Sequence, residues 1–95
     1  MNLAKEIKNA METGKLYFGL KQAKKSLRLN IAKLYIVASD CPDPNFLKSK
    51  IENVPIYIYN GKSSELGSIC GAVYSISIIT VSDPGNSALL SLIEG

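Results

Sequence analysis

The feature that most constrains this chain is an unbroken apolar run, Leu34-Tyr35-Ile36-Val37-Ala38, bounded by Lys33 on one side and Ser39-Asp40 on the other. A strand with one wet face alternates apolar and polar residues, so a run without alternation reads as a strand covered on both faces. Such a strand belongs in the middle of a sheet, with other elements packed above and below.

The flanking sequence supplies those elements. Leu3, Ile7, Ala10 and Met11 recur at helical spacing, with Asn2 as N-cap and Thr13-Gly14 as a left-handed stop, which predicts a helix over 3–13. Lys15 to Phe18 reads as a short strand broken by Gly19, and Leu20 to Leu29 as a second helix ending at Asn30. After the central run, Asp43 is placed to cap a short helix that starts at Pro44, makes apolar contacts through Phe46, Leu47 and Ile51, and ends at Asn53. Ile56-Tyr57-Ile58-Tyr59 is β-rich. The Asn60-Gly61 turn then leads to Ser63, a cap for a helix carrying Leu66, Ile69, Cys70 and Val73, which Gly71 closes or loosens. Ser75 to Val81 reads as a further strand, and Asp83-Pro84-Gly85 turns into a last helix around Leu89, Leu90, Leu92 and Ile93. Helices and strands alternate throughout, so the predicted fold is α/β, a three-layer α/β/α sandwich on a four-stranded sheet. At 95 residues the chain is expected to form one domain, 1–95, around one core.

Composition excludes several classes of protein. Hydrophobic residues make up 46% and charged residues 20%, a globular balance. No apolar run approaches the roughly 18 residues of a membrane span, and the charges at Lys5, Glu6 and Lys8 interrupt any signal-peptide core, so no membrane partner and a cytoplasmic location are expected. Cys41 and Cys70 stand outside any CxxC pattern and there is no histidine, which leaves a zinc site short of ligands; two buried thiols are the simpler reading. A disulfide between them fits only a hyperthermophile source.

The net charge of +3 hides an asymmetry: residues 1–30 hold seven Lys/Arg against two Glu, and residues 31–95 hold four Lys against six acids. One basic end on a near-neutral chain points to a local polyanion-binding face. Lys21, Lys24, Lys25 and Arg28 fall at i, i+3, i+4 and i+7 and share one helix face, opposite Leu20, Ala23 and Leu27. The helix begins just after Gly19, so its free N–H groups and positive dipole end point where Lys21 points, a place for phosphate. Gln22 donates and accepts together and can read a base edge, while Lys21 can reach guanine O6 and N7. An exposed basic face with no partner is the competing reading.

Two other loops qualify on the same logic, since loops leaving strand ends are held rigidly without being paired in the sheet. Ser39 to Pro42 follows the central strand. Gly71-Ala72-Val73-Tyr74 offers apolar surface and a ring on which an unstacked base can sit, or else Val73 and Tyr74 are core. Tyr17, Tyr35, Tyr57 and Tyr59 read as strand packing. Enzyme chemistry finds no histidine base, GxSxG, Walker loop or GxGxxG, and Asp40, the carboxylate at a strand end, has no evident acidic partner, so no catalytic residue, cofactor or small-molecule substrate is expected.

Taken in order, Gly19-Leu20-Lys21-Gln22-Ala23-Lys24-Lys25, Ala32 through Pro42, Tyr59-Asn60-Gly61, Glu65-Leu66-Gly67-Ser68-Ile69-Cys70-Gly71 and Asp83-Pro84-Gly85-Asn86-Ser87 resemble the archaeal and eukaryotic "thirty-e" family of large-subunit ribosomal proteins. That family is a branch of the kink-turn-binding superfamily that also holds the seven-Ae proteins, and the resemblance runs from the first helix to about Leu90. It implies an α/β/α sandwich with a mixed sheet, docked on a kink-turn of ribosomal RNA in the large subunit near the interface with the small subunit, with neighbouring ribosomal proteins and small-subunit RNA within reach. Carried over by position, Gly19 permits close backbone approach, Lys21 and Gln22 read guanines of sheared G·A pairs, and Lys25 holds phosphate. Ser39, Asp40 and Cys41 would face the same kink, and Gly71 to Tyr74 would cover the flipped-out nucleotide.

The chain departs from the family's pattern in several places. Asp40 stands where the family commonly has Asn, replacing an amide with an acceptor-only anion. Ala72 and Ser75 stand where Lys and Arg are frequent, and the segment from Pro42 to Val54 is about one helical turn short. The leading function is therefore a ribosomal RNA-binding protein. Its alternatives are a superfamily relative that binds kink-turns in another RNA-protein particle or a regulatory RNA, and a module whose basic face meets an acidic protein.

Overall fold

The chain folds as a mixed α/β structure, described here from a computed structural model over residues 2–93. In chain order the elements are α1 (Leu3–Thr13), β1 (Lys15–Phe18), α2 (Leu20–Leu29), β2 (Leu34–Ala38), a 3-10 turn (Pro44–Phe46), β3 (Lys50–Ile51), β4 (Val54–Tyr59), α3 (Ser63–Ile69), β5 (Ile78–Asp83) and a second 3-10 turn (Leu89–Ile93). The strands form one mixed sheet in the order β1-β5-β2-β4-β3, with β2 and β4 parallel and the other neighbours antiparallel.

The central run behaves as its composition requires. All five residues of β2 are buried, and they divide alternately between two clusters. Leu34, Ile36 and Ala38 pack with Ile7 and Ala10 of α1, Leu66 of α3 and Leu89. Tyr35 and Val37 pack with Ala23 of α2, Phe46 and Ile56. Each large aliphatic side chain so enclosed contributes about 1.5–3 kcal/mol relative to exposure. Tyr35 does more than fill space: its hydroxyl is 2.6 Å from Ser26 Oγ and donates to the Ala23 carbonyl at 3.2 Å, and its ring meets Phe46 edge-on at 5.2 Å. This explains a serine on the buried face of α2 and pins that helix to the middle of the sheet.

Several local expectations hold. Asn2 caps α1 by accepting from the Lys5 N–H at 3.2 Å, and Asn30 closes α2 in a left-handed conformation with φ 55°. The stop at Gly14 works differently from expectation. Its φ is −128°, so it is not left-handed; glycine is required there because a Cβ would collide with the Asp83 carbonyl and sit 2.6 Å from the Gly85 nitrogen. Close packing of the α1–β1 corner against the β5 turn, and not backbone handedness, selects the residue.

The strand count is five, one more than the sequence patterning predicted. The predicted helix from Pro44 to Asn53 shrinks to the 3-10 turn, capped as expected by Asp43 Oδ1 accepting from the Asn45 N–H at 3.0 Å. Its second half becomes β3, which pairs with β4 across Glu52 and Asn53, both at positive φ (47° and 70°). Two consecutive left-handed residues make the tight turn whose twist matches a hairpin. Phe46 is the buried side chain of the 3-10 turn while Leu47 is exposed, so the segment lacks the apolar stripe that would hold a longer helix on the sheet. Two other bounds shift. β5 starts at Ile78 rather than Ser75, because the Ile76 N–H donates to the Ser63 carbonyl at 3.0 Å instead of joining the ladder. The last helical segment is 3-10, anchored by buried Leu89; the Ile93 side chain lies outside the described residues. Among the described residues no helix is long and apolar enough to cross a membrane.

Candidate nucleic-acid interface

Strand direction decides where the loops meet. β1 and β2 both run antiparallel to β5, and β4 runs parallel to β2, so the C-terminal ends of β1, β2 and β4 share one sheet edge with the start of β5. Gly19, Ser39 to Cys41, Asn60-Gly61 and the run into Ser77 therefore collect along that edge. Backbone bonds stitch them: Gly19 N–H to the Ile78 carbonyl at 2.9 Å, Ala38 N–H to Ser77 at 2.8 Å, and Ser39 N–H to Gly61 at 2.9 Å.

At one side stands the start of α2. Gly19 adopts φ 97° and ψ 161°, and a Cβ there would meet nothing within 4 Å, so its backbone conformation rather than crowding selects glycine. No side chain caps the helix and no acid occupies its first turn, so its leading N–H groups face outward beside exposed Lys21 and Gln22. An uncapped helix start with a cation beside it attracts anions. Leu20 and Ala23 turn inward against the cluster around Tyr35.

The four cations do not form one stack. Lys24 Nζ lies 3.7 Å from Asp43 Oδ2, the one ion pair among the described residues, and Lys24 remains 58% exposed, so solvent screens the pair heavily. Lys25 turns the other way and, with Gln22, Tyr17 and Leu29, borders a depression of about 120 Å³. Lys21, Lys25 and Arg28 are thus left exposed without an acidic partner among the described residues. The sequence did not single out the Tyr17–Leu29 depression, because Tyr17 reads as strand packing and Leu29 only as the end of the second helix.

On another side the loop Gly71 to Tyr74 stands out from the body. Gly71 has φ 77° with open space where a Cβ would be. Val73 is fully exposed and Tyr74 is 65% exposed, so these are surface residues and not core, while Ala72 is half-buried. The loop shares a depression with Phe18, the last residue of β1, which brings it next to Gly19. An apolar residue and a ring left in water beside two open glycines form a surface on which a flat apolar group can rest.

The middle loop is built differently. The Ser39 hydroxyl donates to the Gly61 carbonyl at 2.8 Å, and Cys41 is buried with its thiol 3.7 Å from the Asp43 carbonyl. The exposed Asp40 accepts from the Ser63 N–H through Oδ1 at 2.8 Å and from the Ser63 hydroxyl through Oδ2 at 3.2 Å. Ser63 is the first residue of α3 rather than its cap, and Asp40, 23 positions away, supplies the capping acceptor. A contact that distant leaves no local signature in sequence. The Ser39 hydroxyl, the Cys41 thiol and both Asp40 oxygens each have a partner within the protein, while Ser39 and Asp40 remain exposed on the loop. Burial raises the Cys41 thiol above its ordinary value, partly offset by its bond to Asp43, and pushes Cys70 up to about 11. Both thiols are free, and among the described residues no group of His, Cys, Asp and Glu is placed to hold a metal ion.

A mixed sheet that gathers three loops at one edge, with an uncapped basic helix on one flank and an exposed apolar loop on another, defines a small α/β protein. The chain belongs to the ribosomal protein L7Ae/L30e/S12e/Gadd45 family, whose model matches residues 1–91. It is similar to the large ribosomal subunit protein eL30 of Sulfurisphaera tokodaii, at 42% identity over 94% of this chain and 88% of that protein. The protein of the same name from Saccharolobus solfataricus is 38% identical over 94% of this chain and 86% of its own length. That from Methanothermobacter thermautotrophicus is 34% identical over 98% and 99%.

Proposed function

We propose that this protein is a structural component of the large ribosomal subunit, with no enzymatic role, that binds a kink-turn in ribosomal RNA through the sheet edge described above. The observation that carries the reading is the start of α2: an uncapped helix end behind a positive-φ glycine, with Lys21 and Gln22 exposed on it. The names of the full-length relatives support the assignment to the large subunit.

In this reading the leading N–H groups of α2, with Gly19 and Leu20 giving close backbone approach, hold a phosphate at the kink. Lys21 and Gln22 read the edges of the sheared G·A pairs, and Lys25 and Arg28, with Lys24 more weakly, follow the backbone. Gly71 to Tyr74 cover the flipped-out nucleotide with Val73 and the Tyr74 ring. Ser39, Asp40 and Cys41 hold the middle of the edge in shape. The two clusters that flank β2 support a three-layer α/β/α arrangement within one domain, 1–95, in which the sheet serves as a rigid mount for this edge. Neighbouring ribosomal proteins and small-subunit RNA are the further partners, in the cytoplasmic ribosome.

Sedimentation under high-salt washing tests the assignment. The protein stays with large subunits if it is an integral component; its release together with a different RNA-protein particle would assign it to a superfamily relative's role.

A further inference from the structure

Ser63 is a junction. Its N–H and hydroxyl both go to Asp40, at 2.8 and 3.2 Å, and its carbonyl accepts from the Ile76 N–H at 3.0 Å. α3 has no side-chain cap of its own at Lys62, so the Asp40 carboxylate is both the acceptor for its first turn and the anion at its positive end. The opposite end of the same helix launches the exposed loop: Gly71 N–H donates to the Ser68 carbonyl at 3.0 Å and Ala72 N–H to Gly67 at 2.9 Å. On its return the loop passes so close to Gly67 that a Cβ there would collide with the Tyr74 carbonyl. Gly71 to Ser75 is therefore fastened to α3 at both ends, and α3 is fastened to the sheet edge through Asp40.

We infer that Asp40 is a positioning residue that sets the place of the Gly71–Tyr74 loop through Ser63 and α3, and that it acts on RNA through this linkage rather than by touching it. The effect on RNA rests on the kink-turn reading above; the effect on the loop does not. Both carboxylate oxygens are turned to Ser63, and the end of a helix dipole balances a charge that would otherwise oppose a neighbouring phosphate. Asparagine preserves the linkage, since its carbonyl accepts from the Ser63 N–H and its amide donates to the Ser63 oxygen.

The test uses the full chain with Asp40→Ala, Asp40→Asn, Ser63→Pro and the Asp40→Ala/Ser63→Pro double variant. Proline is tolerated at the first position of a helix, so Ser63→Pro removes both of Asp40's partners without breaking α3. Amide exchange in the free protein reads the loop. At Ala72 and Ile76 it accelerates about fivefold to tenfold in Asp40→Ala and in Ser63→Pro, the factor that corresponds to losing a cap, with α2 amides unchanged. The double variant is no worse than either single one, and Asp40→Asn stays close to the parent. Affinity for a kink-turn RNA follows the same pattern. Unchanged exchange in Asp40→Ala would overturn the inference. So would an RNA-binding loss in Asp40→Ala and Asp40→Asn that Ser63→Pro does not share, which would mark a direct contact. If the exchange pattern appears but the parent does not distinguish kinked from unkinked RNA, the linkage stands and the kink-turn reading falls.

Discussion

Substituting Gly67 by alanine sets two well-measured effects against each other. Gly67 is buried within α3, where alanine is favoured over glycine by about 1 kcal/mol in a helix interior. Against that, its Cβ would fall inside contact distance of the Tyr74 carbonyl oxygen and 3.2 Å from the Ile76 nitrogen. Both obstacles are backbone, so relief requires the 74–76 segment to retreat by on the order of 1 Å to reach ordinary contact. Moving it strains the Ile76 to Ser63 bond of 3.0 Å and leaves a gap beneath buried Ile76. Overpacking of this kind destabilises by about 1–3 kcal/mol, and with rigid obstacles the upper part of that range applies, leaving a net loss of roughly 1–2 kcal/mol. At this chain length each kcal/mol lowers Tm by about 4–8 °C. Urea unfolding followed by circular dichroism reads the change as a lower midpoint at constant slope. A Gly67→Ala protein as stable as the parent, or more stable, would show that helix propensity outweighs the close approach and that the loop is not seated on α3 as described.

Two further outcomes are expected. Thr80 Oγ1 is buried on β5 without a hydrogen-bond partner among the described residues, so Thr80→Val removes an unmet polar group at nearly constant volume and raises stability by about 1 kcal/mol; a lower denaturation midpoint would contradict this. Cys70 has its pKa pushed from 9.0 to about 11 by burial, so the unfolded chain releases the proton first as pH rises. Its contribution to stability is full below pH 9 and declines between about pH 9 and 11, and Cys70→Ala flattens that part of the stability–pH curve; an alkylation rate that levels off at or below pH 9 would refute it.

Elements with a strong local signal were legible in the sequence, and those decided by distant contacts were not. The bounds of α1, β1, α2 and β2 follow from periodicity, the Asn2 and Asn30 caps and the two-faced apolar run. β3 was hidden because Ile51 fits a helical spacing from Leu47, and the Glu52-Asn53 pair lacks the glycine that usually marks a two-residue hairpin turn. In the interface, the α2 start could be read because glycine, charge and helix onset lie together in sequence. For Val73 and Tyr74 the residues left surface and core both open, since composition favours burial, and the structure places them outside, beyond the positive-φ Gly71. Asp40 was visible as a carboxylate at a strand end, but its partner Ser63 is 23 residues away, and no spacing rule joins the two.

Recognition of a kinked RNA is tested most directly by comparing affinity for a kink-turn RNA with affinity for the same RNA whose sheared G·A pairs are replaced, at fixed salt, for the parent, Lys21→Ala and Gln22→Ala. The parent prefers the kink-turn. Each variant loses about 1–3 kcal/mol of that preference per lost base contact while keeping a salt-dependent general affinity. Equal affinity of the parent for the two RNAs would contradict the account at its centre.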